Sequence, residues 1–387
     1  MSPAGARALR GQMIVIGAAL VVLALFADVN GIRPVLLYAS VIAAAQPLVF
    51  AAIGEMVVER AGVLNLGVEG MMIVGAITGF ATAVGTGSAL LGVVAGALGG
   101  AALSLIFGVL TQIFLANQVA TGLALTLFGL GFAALIGQSY TGQTPPPFPR
   151  VDLFLLSDAP VIGRLLFAHD LLVYVGIALV TVVWGWISFT RHGLILRAVG
   201  EDHDAAHALG YPVIAIRMAA IAFGGACAGI GGAYLSLVRV PLWSEGMTAG
   251  IGWIALAIVV FGAWAPWRVM LGAYLFGGVT ILQLNMQAEG ITVLWLLTFA
   301  FFLLAVQASV DAIIHGRGRI GLVVFLWAST LAAGSIAVFA PITISSEYLS
   351  MAPYLATIIV LVVMASDTAQ ARLRAPGALG RVFRPRD

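Results

Sequence analysis

The stretch GEMVVERAGVLNLGVEGMM, from Gly54 to Met72, sets Glu55, Glu59, Arg60 and Glu69 between two apolar runs. Carboxylates in a membrane segment are expensive unless paired or solvated, and Arg60 is a natural partner for Glu69. Gly62, Gly67 and Gly70 interrupt the helical pattern around Asn65, whose amide offers both a donor and an acceptor. Freed backbone and polar side chains at a broken helix can line a cavity inside lipid. The chemistry these residues suit is therefore recognition of a polar solute. Further polar or aromatic candidates for such a path are Gln46, Trp243, Glu245, Trp253 and Asn285.

The second cluster of ionisable groups is RHGLILRAVGEDHDAAHALGYPVIAIR, residues 191–217. Helix propensity is highest from Glu201 to Leu209, and Gly210 and Pro212 end the helix. Glu201, Asp202 and Asp204 lie near its positive end. His203 and His207 are spaced i, i+4 and so share a helix face. With only Asp202 and Asp204 nearby, they read as a solvated face and not as a metal site. The chain has no phosphate-cradling Gly-x4-Gly-Lys loop and no His-Glu-x2-His pair, so no catalytic residue and no cofactor is assigned. Its single cysteine, Cys227, lies in the small-residue run AFGGACAGIGGAYL and reads as a packed thiol.

Composition explains what must position these groups. The 387 residues are 61% hydrophobic and 9% charged, against about 25% charged in soluble domains. So few charges cannot cover a water-facing surface. The chain is expected to be an all-α, polytopic membrane bundle, with 47 glycines suited to close helix contact. The net charge of +2 gives no reason to expect a nucleic-acid partner. Apolar runs long enough to cross a bilayer predict spans near 12–28, 35–54, 63–84, 88–115, 119–138, 170–190, 214–238, 251–264, 268–288, 291–314, 320–341 and 353–367. The expected number is ten to twelve. Placing the N-terminus inside puts fourteen arginines in inner segments and four in outer ones, which by the positive-inside rule predicts two cytoplasmic termini. Residues 139–169, with TPPPFP, then form an outer loop, 191–217 the longest inner segment, and 368–387 a cytoplasmic tail.

DAAHALG, with Asp204, Ala205 and Ala206 ahead of Gly210, resembles the E-A-A-x3-G loop of ATP-binding-cassette (ABC) importer permeases. Longer stretches add to this: RAVGEDHDAAHALGYPV, ERAGVLNLGVEGMMIVGA (59–76), GGAYLSLVRVPLWSEGMTAGIGWIALAIVVFGAW (231–264) and MAPYLATIIVLVVMA (351–365) followed by RAPGALG. They resemble permeases of the branched-chain amino acid, simple sugar and nucleoside group, the nucleoside type above all. The resemblance implies one 1–387 permease domain that moves solute inward and is not itself an enzyme. It implies an ATPase subunit, a second permease subunit as homo- or heterodimer, and a solute-binding protein or lipoprotein. These would work in the lipid bilayer of a bacterial inner membrane. Arg197, Gly200, Glu201, Asp204, Ala205, Ala206 and Gly210 would then form the ATPase-coupling element. Simple sugar or branched-chain amino acid is the alternative cargo, and an ion-coupled secondary transporter the alternative class. There are two departures from the family pattern. Ile251-Gly252 stands where Arg-Gly is usual, and residues 291–342 are expected to add a helical hairpin.

Overall fold

The computed structural model describes residues 34–149, 167–289, 298, 301–302, 305, 309, 320–339, 351, 355 and 375–384. The expected span near 12–28, and most of those near 291–314 and 353–367, lie outside these residues. The described chain is helical, with no β-strand. Its helices are α1 (Pro34–Arg60), α2 (Val68–Thr86), α3 (Ala89–Gly108), α4 (Gln118–Gly137), α5 (Leu171–Phe189), α6 (Arg191–Glu201), α7 (His203–Ala208), α8 (Val213–Tyr234), α9 (Ile251–Phe261), α10 (Pro266–Glu289) and α11 (Ile320–Phe339). Among the described residues, seven helical segments are long and apolar enough to cross a membrane, so the chain is a multi-pass membrane protein. The eleven-residue α9 rises only about 16 Å, half of a hydrocarbon core.

The chain divides into two compact units. One comprises residues 1–38 and 280–352 and contains α11; the other comprises 39–279 and 353–387 and contains the 61–67 break, Glu69 and the 191–217 segment. In the larger unit, α2, α3 and α8 meet through glycine. Gly75, Gly96, Gly100 and Gly229 approach so closely that a methyl group on any of them would strike a neighbouring backbone. Without a hydrophobic drive between helices in lipid, such contact supplies the packing energy. Ser236 Oγ adds an interhelical bond to Ala76 O at 2.9 Å. Outward faces are apolar, as at Leu98 and Leu127, which suits contact with acyl chains.

Local chemistry sets the helix ends. Asp170 Oδ1 accepts from the N–H groups of Leu172 and Val173 at 3.0 and 3.2 Å at the start of α5, and its other oxygen accepts from the Tyr234 hydroxyl at 2.8 Å. Thr190 caps α6, accepting from Gly193 N–H at 3.1 Å. Asp202 caps α7, accepting from Asp204 and Ala205 N–H at 3.0 Å each. Gly210, at φ +85°, ends the turn after α7 in a left-handed conformation that costs a glycine least.

Hydropathy places the first described span at 35–54, but α1 continues to Arg60. The two extra turns hold Glu55 and Glu59, whose carboxylates find partners within the bundle. The apolar run therefore ends before the helix does.

Candidate functional site

After α1 the chain leaves helical geometry over residues 61–67 and climbs beside α4. Leu64 N–H donates to Gln118 Oε1 at 2.9 Å, at the first turn of α4. Further along, the Gly122 backbone lies against Leu66 and Gly67, and Thr126 Oγ1 donates to Leu66 O at 3.3 Å. Gly70 then packs on Leu125 and Gly129. Seven to eleven residues along α4 are about 10–16 Å, so α2 starts that far up the bundle. The segment is a re-entrant break with Gly62 and Gly67 as close-approach points, whereas Gly70, expected to interrupt the helix, lies inside α2 as a packing contact with α4.

Asn65 is buried in this break, and its polar groups are engaged. Its N–H donates to Glu55 Oε1 at 3.2 Å, its Oδ1 accepts from Gly67 N–H at 2.9 Å, and its Nδ2 faces Met71 Sδ at 3.3 Å. The Asn65 amide thus builds the turn.

Glu69 lies in the first turn of α2 and meets the start of α9. Its Oε1 accepts from Gly250 N–H at 2.8 Å. The N–H groups of Gly252 and Trp253 and the Thr248 hydroxyl also face the carboxylate. Gly252 lies so close that a methyl group there would stand 2.6 Å from Glu69 Cα. Two helix N-termini, each with a partial positive charge, therefore converge on one acid. Its Oε2 and the Thr248 hydroxyl are buried without a hydrogen bond. Arg60, the partner expected for Glu69, is elsewhere. Its Nε and Nη2 donate to Trp264 O at 3.2 and 2.9 Å, while Trp264 Nε1 donates to Glu59 Oε2 at 2.5 Å. Trp264 thus staples the end of α9 to the end of α1.

The remaining path candidates separate. Gln46 is fully buried and packed against Gly176, with its Nε2 donating to Ile42 O at 3.2 Å. Trp243 is buried on Gly137 among Phe80, Ala133 and Leu237, where no base could stack on it. Trp253 and Glu245 are exposed. Asn285 belongs to the other unit and donates to Ile281 O at 2.9 Å.

The segment 191–217 folds against the break. Gly200, at the end of α6, rests on the Arg60 carbonyl so closely that no Cβ fits between them. Residues 375–384 join the two. Ala378 N–H donates to Gly200 O at 2.8 Å, and Gly380 N–H to Gly62 O at 3.1 Å. Gly377 N–H donates to Glu201 Oε2 at 3.2 Å. The Phe383 ring meets His203 and His207 edge-on, each at 5.3 Å between centroids. Arg197 and Glu201 lie close to Arg60, and Arg197 Nε is buried without a hydrogen bond.

Within α7 the two alanines differ. Ala206 is buried with Val199, Val213 and Phe383, whereas Asp204, Ala205, Ala208 and Leu209 are exposed, Leu209 at 76%. His203 is buried and His207 exposed, so the histidine pair is divided between core and surface. No cluster of metal-ligating side chains occurs among the described residues. His203 has its pKa lowered from the ordinary 6.5 by burial and by Arg217.

Arg217 is the residue that sequence reasoning missed. It is fully buried, and its guanidinium holds four acceptors: Ala61 O (3.1 Å), Gln112 Oε1 (3.4 Å), Arg381 O (3.2 Å) and His203 Nδ1 (3.2 Å). In the sequence it counted only as one more inner arginine. The clue available there was its position four residues inside a long apolar run.

A multi-pass bundle whose short helix meets a re-entrant break, with an amphipathic segment seated beneath, has the architecture of a membrane permease. The family described as branched-chain amino acid transport system permease component matches residues 37–306, and the chain belongs to it; it is an ABC transporter permease. It is 43% identical over 250 residues to the "Putative glucose ABC transporter permease protein TsgC13" of Haloferax volcanii, covering 63% of this chain and 76% of that protein. It is 34% identical to the guanosine ABC transporter permease protein NupQ of Bacillus subtilis, covering 65% and 82%. Identity to the nucleoside ABC transporter permease protein NupC of Lactococcus lactis is 33%, covering 64% and 81%. No solved structure matches the chain.

Proposed function

We propose that this chain is the non-catalytic membrane subunit of an importer of nucleosides in a bacterial inner membrane. Ten to twelve spans, two cytoplasmic termini, a 291–342 hairpin and a 368–387 tail complete the proposed topology. ATPase and solute-binding subunits accompany permeases of this family in general. Here the ATPase would dock on the 191–217 segment, a second permease subunit would complete the path, and the binding protein or lipoprotein would deliver solute above the 139–169 loop.

One observation carries this reading. The break at 61–67 and the segment bearing Asp204 and Ala205 are in direct contact, through Gly200 on Arg60 and through the 375–384 strand of chain. A force applied at α7 therefore has a short mechanical route to the junction of α2 and α9. In the proposed cycle, docking biases a two-state equilibrium, and the junction opens to one side or the other. Glu69 holds the two helix N-termini together, and its second oxygen and the Thr248 hydroxyl are polar groups that a solute's hydroxyls or ring nitrogens could meet. Glu55 Oε1 and Glu59 Oε2 accept from Asn65 N–H and Trp264 Nε1–H, which gives both carboxylates a part in holding the break and the end of α1.

A simple-sugar cargo is the second reading. The higher identity to the haloarchaeal protein named for glucose favours it, and a nucleoside carries a sugar ring of its own. Uptake into vesicles holding the permease, its cognate ATPase and its binding protein decides between them. Labelled nucleoside should enter only with ATP, and excess unlabelled glucose should not compete. Glucose uptake unaffected by nucleoside would establish the sugar reading. Uptake of either solute without the ATPase would refute the importer reading.

A further inference from the structure

We propose that Arg217 is a positioning residue that carries the movement of α7 to the helix break. The proposal rests on the docking of an ATPase at α7 made above. Burying a cation is costly unless it is fully hydrogen-bonded, and a Leu or Met would fill this space without that cost. The planar guanidinium presents five donors in a fixed fork. Its four contacts come from four separate pieces of chain: the turn after α1 (Ala61), the π-helical turn after α3 (Gln112), α7 (His203) and the C-terminal segment (Arg381).

The room for this arrangement is made by Gly62, where a methyl group would stand 2.9 Å from Nη2 and 3.3 Å from Gly200 Cα. Ala61 is the first residue of the break, so a shift of Arg217 acts on the break directly. His203 is tied to the surface of α7 through its neighbour Asp204, whose side chain is 70% exposed and whose Oδ2 is 3.8 Å from His203 Nε2. A partner covering Asp204 would exclude water and strengthen its pull on His203 and Arg217.

The test uses the complete transporter in vesicles, with labelled uptake and phosphate release measured on one preparation. Arg217→Gln should lower the solute moved per ATP hydrolysed by about tenfold, with the ATPase still bound. His203→Leu should lower it in the same direction, and His203→Asn, which keeps an acceptor, should recover most of the loss. If Arg217→Gln does not fold, Arg217→Lys and the His203 pair carry the test. A purely structural role would lower uptake and hydrolysis in parallel, and that result, or an unchanged ratio in folded variants, overturns the proposal. Ala205→Trp separates the two readings. If it loses the ATPase while Arg217→Gln couples normally, only the role of Arg217 falls. If it binds the ATPase and transports normally, the docking reading falls, and this proposal with it.

Discussion

Glu69 in the first turn of α2 accepts the Gly250 N–H at 2.8 Å, so one carboxylate closes the gap between two helices that both begin inside the bundle. Each helix start carries roughly half a positive charge, and without an acid between them the two would repel. Replacing Glu69 with Gln keeps an oxygen acceptor but removes the charge. The expected loss is about 1–2 kcal/mol, seen as a lower thermal midpoint in detergent. Uptake should fall further in Glu69→Ala, which removes the acceptor as well. An unchanged midpoint in both variants would argue against the junction.

Trp264 donates to Glu59 through its indole N–H. Trp264→Phe keeps an aromatic ring but leaves a buried carboxylate oxygen without its donor. The expected cost is about 1–3 kcal/mol, read as a drop in thermal midpoint. Restoring stability by adding Glu59→Gln or Glu59→Leu would identify the orphaned carboxylate as its source.

Gly200 and Gly62 are expected to tolerate nothing larger, for different reasons. At Gly200 a Cβ would collide with the Arg60 carbonyl, so Gly200→Ala should push α6 away from α1 and lower uptake. At Gly62, φ is +83°, and an L-residue there costs about 1–2 kcal/mol besides crowding Arg217. Both are checked by midpoint and uptake, and Gly85→Ala, in open space, is the control.

The two alanines of α7 should behave differently. Ala205→Trp changes an exposed position and should leave the midpoint unaltered while abolishing copurification of the ATPase. Ala206→Trp overfills the space beside Val199, Val213 and Phe383 and should cost about 1–3 kcal/mol. If Ala206→Trp were as stable as the parent chain, the packing of the C-terminal segment here would be wrong.

Acidification should loosen α7 through His203. Its folded-state pKa lies below the ordinary 6.5, so the folded chain favours the neutral ring. That stability is complete above the unfolded value. It is lost progressively as pH falls below that value toward the folded one. The groups facing the ring are Arg217, Asp204, Asp202, Arg381 and Phe383. Amide exchange of residues 203–209 should quicken as pH falls from the parent's neutral plateau, after correction for the intrinsic rate. His203→Asn should flatten that dependence.

Membrane class, seven of the expected spans and several helix ends were legible from residues 1–387 alone, because each is a local property. A helix satisfies the backbone of a long apolar run from within the run itself. Thr190 and Gly210 act on backbone groups within a turn of themselves. Gly62 and Gly67 fall within the break, but Gly70, of the same type and spacing, is helical in α2.

What tertiary structure alone decided is which groups meet. Glu69 faces Gly250 and not the nearby Arg60, and Asn65 is spent on its own turn. Ala205 is exposed and Ala206 buried because a phenylalanine almost two hundred residues later packs on one side of α7. Arg217 joins segments 156, 105 and 164 residues away, and no window along the chain contains them together. Burial and hydrogen-bond partnership depend on close approach in space, and sequence spacing reports that only within a few helical turns.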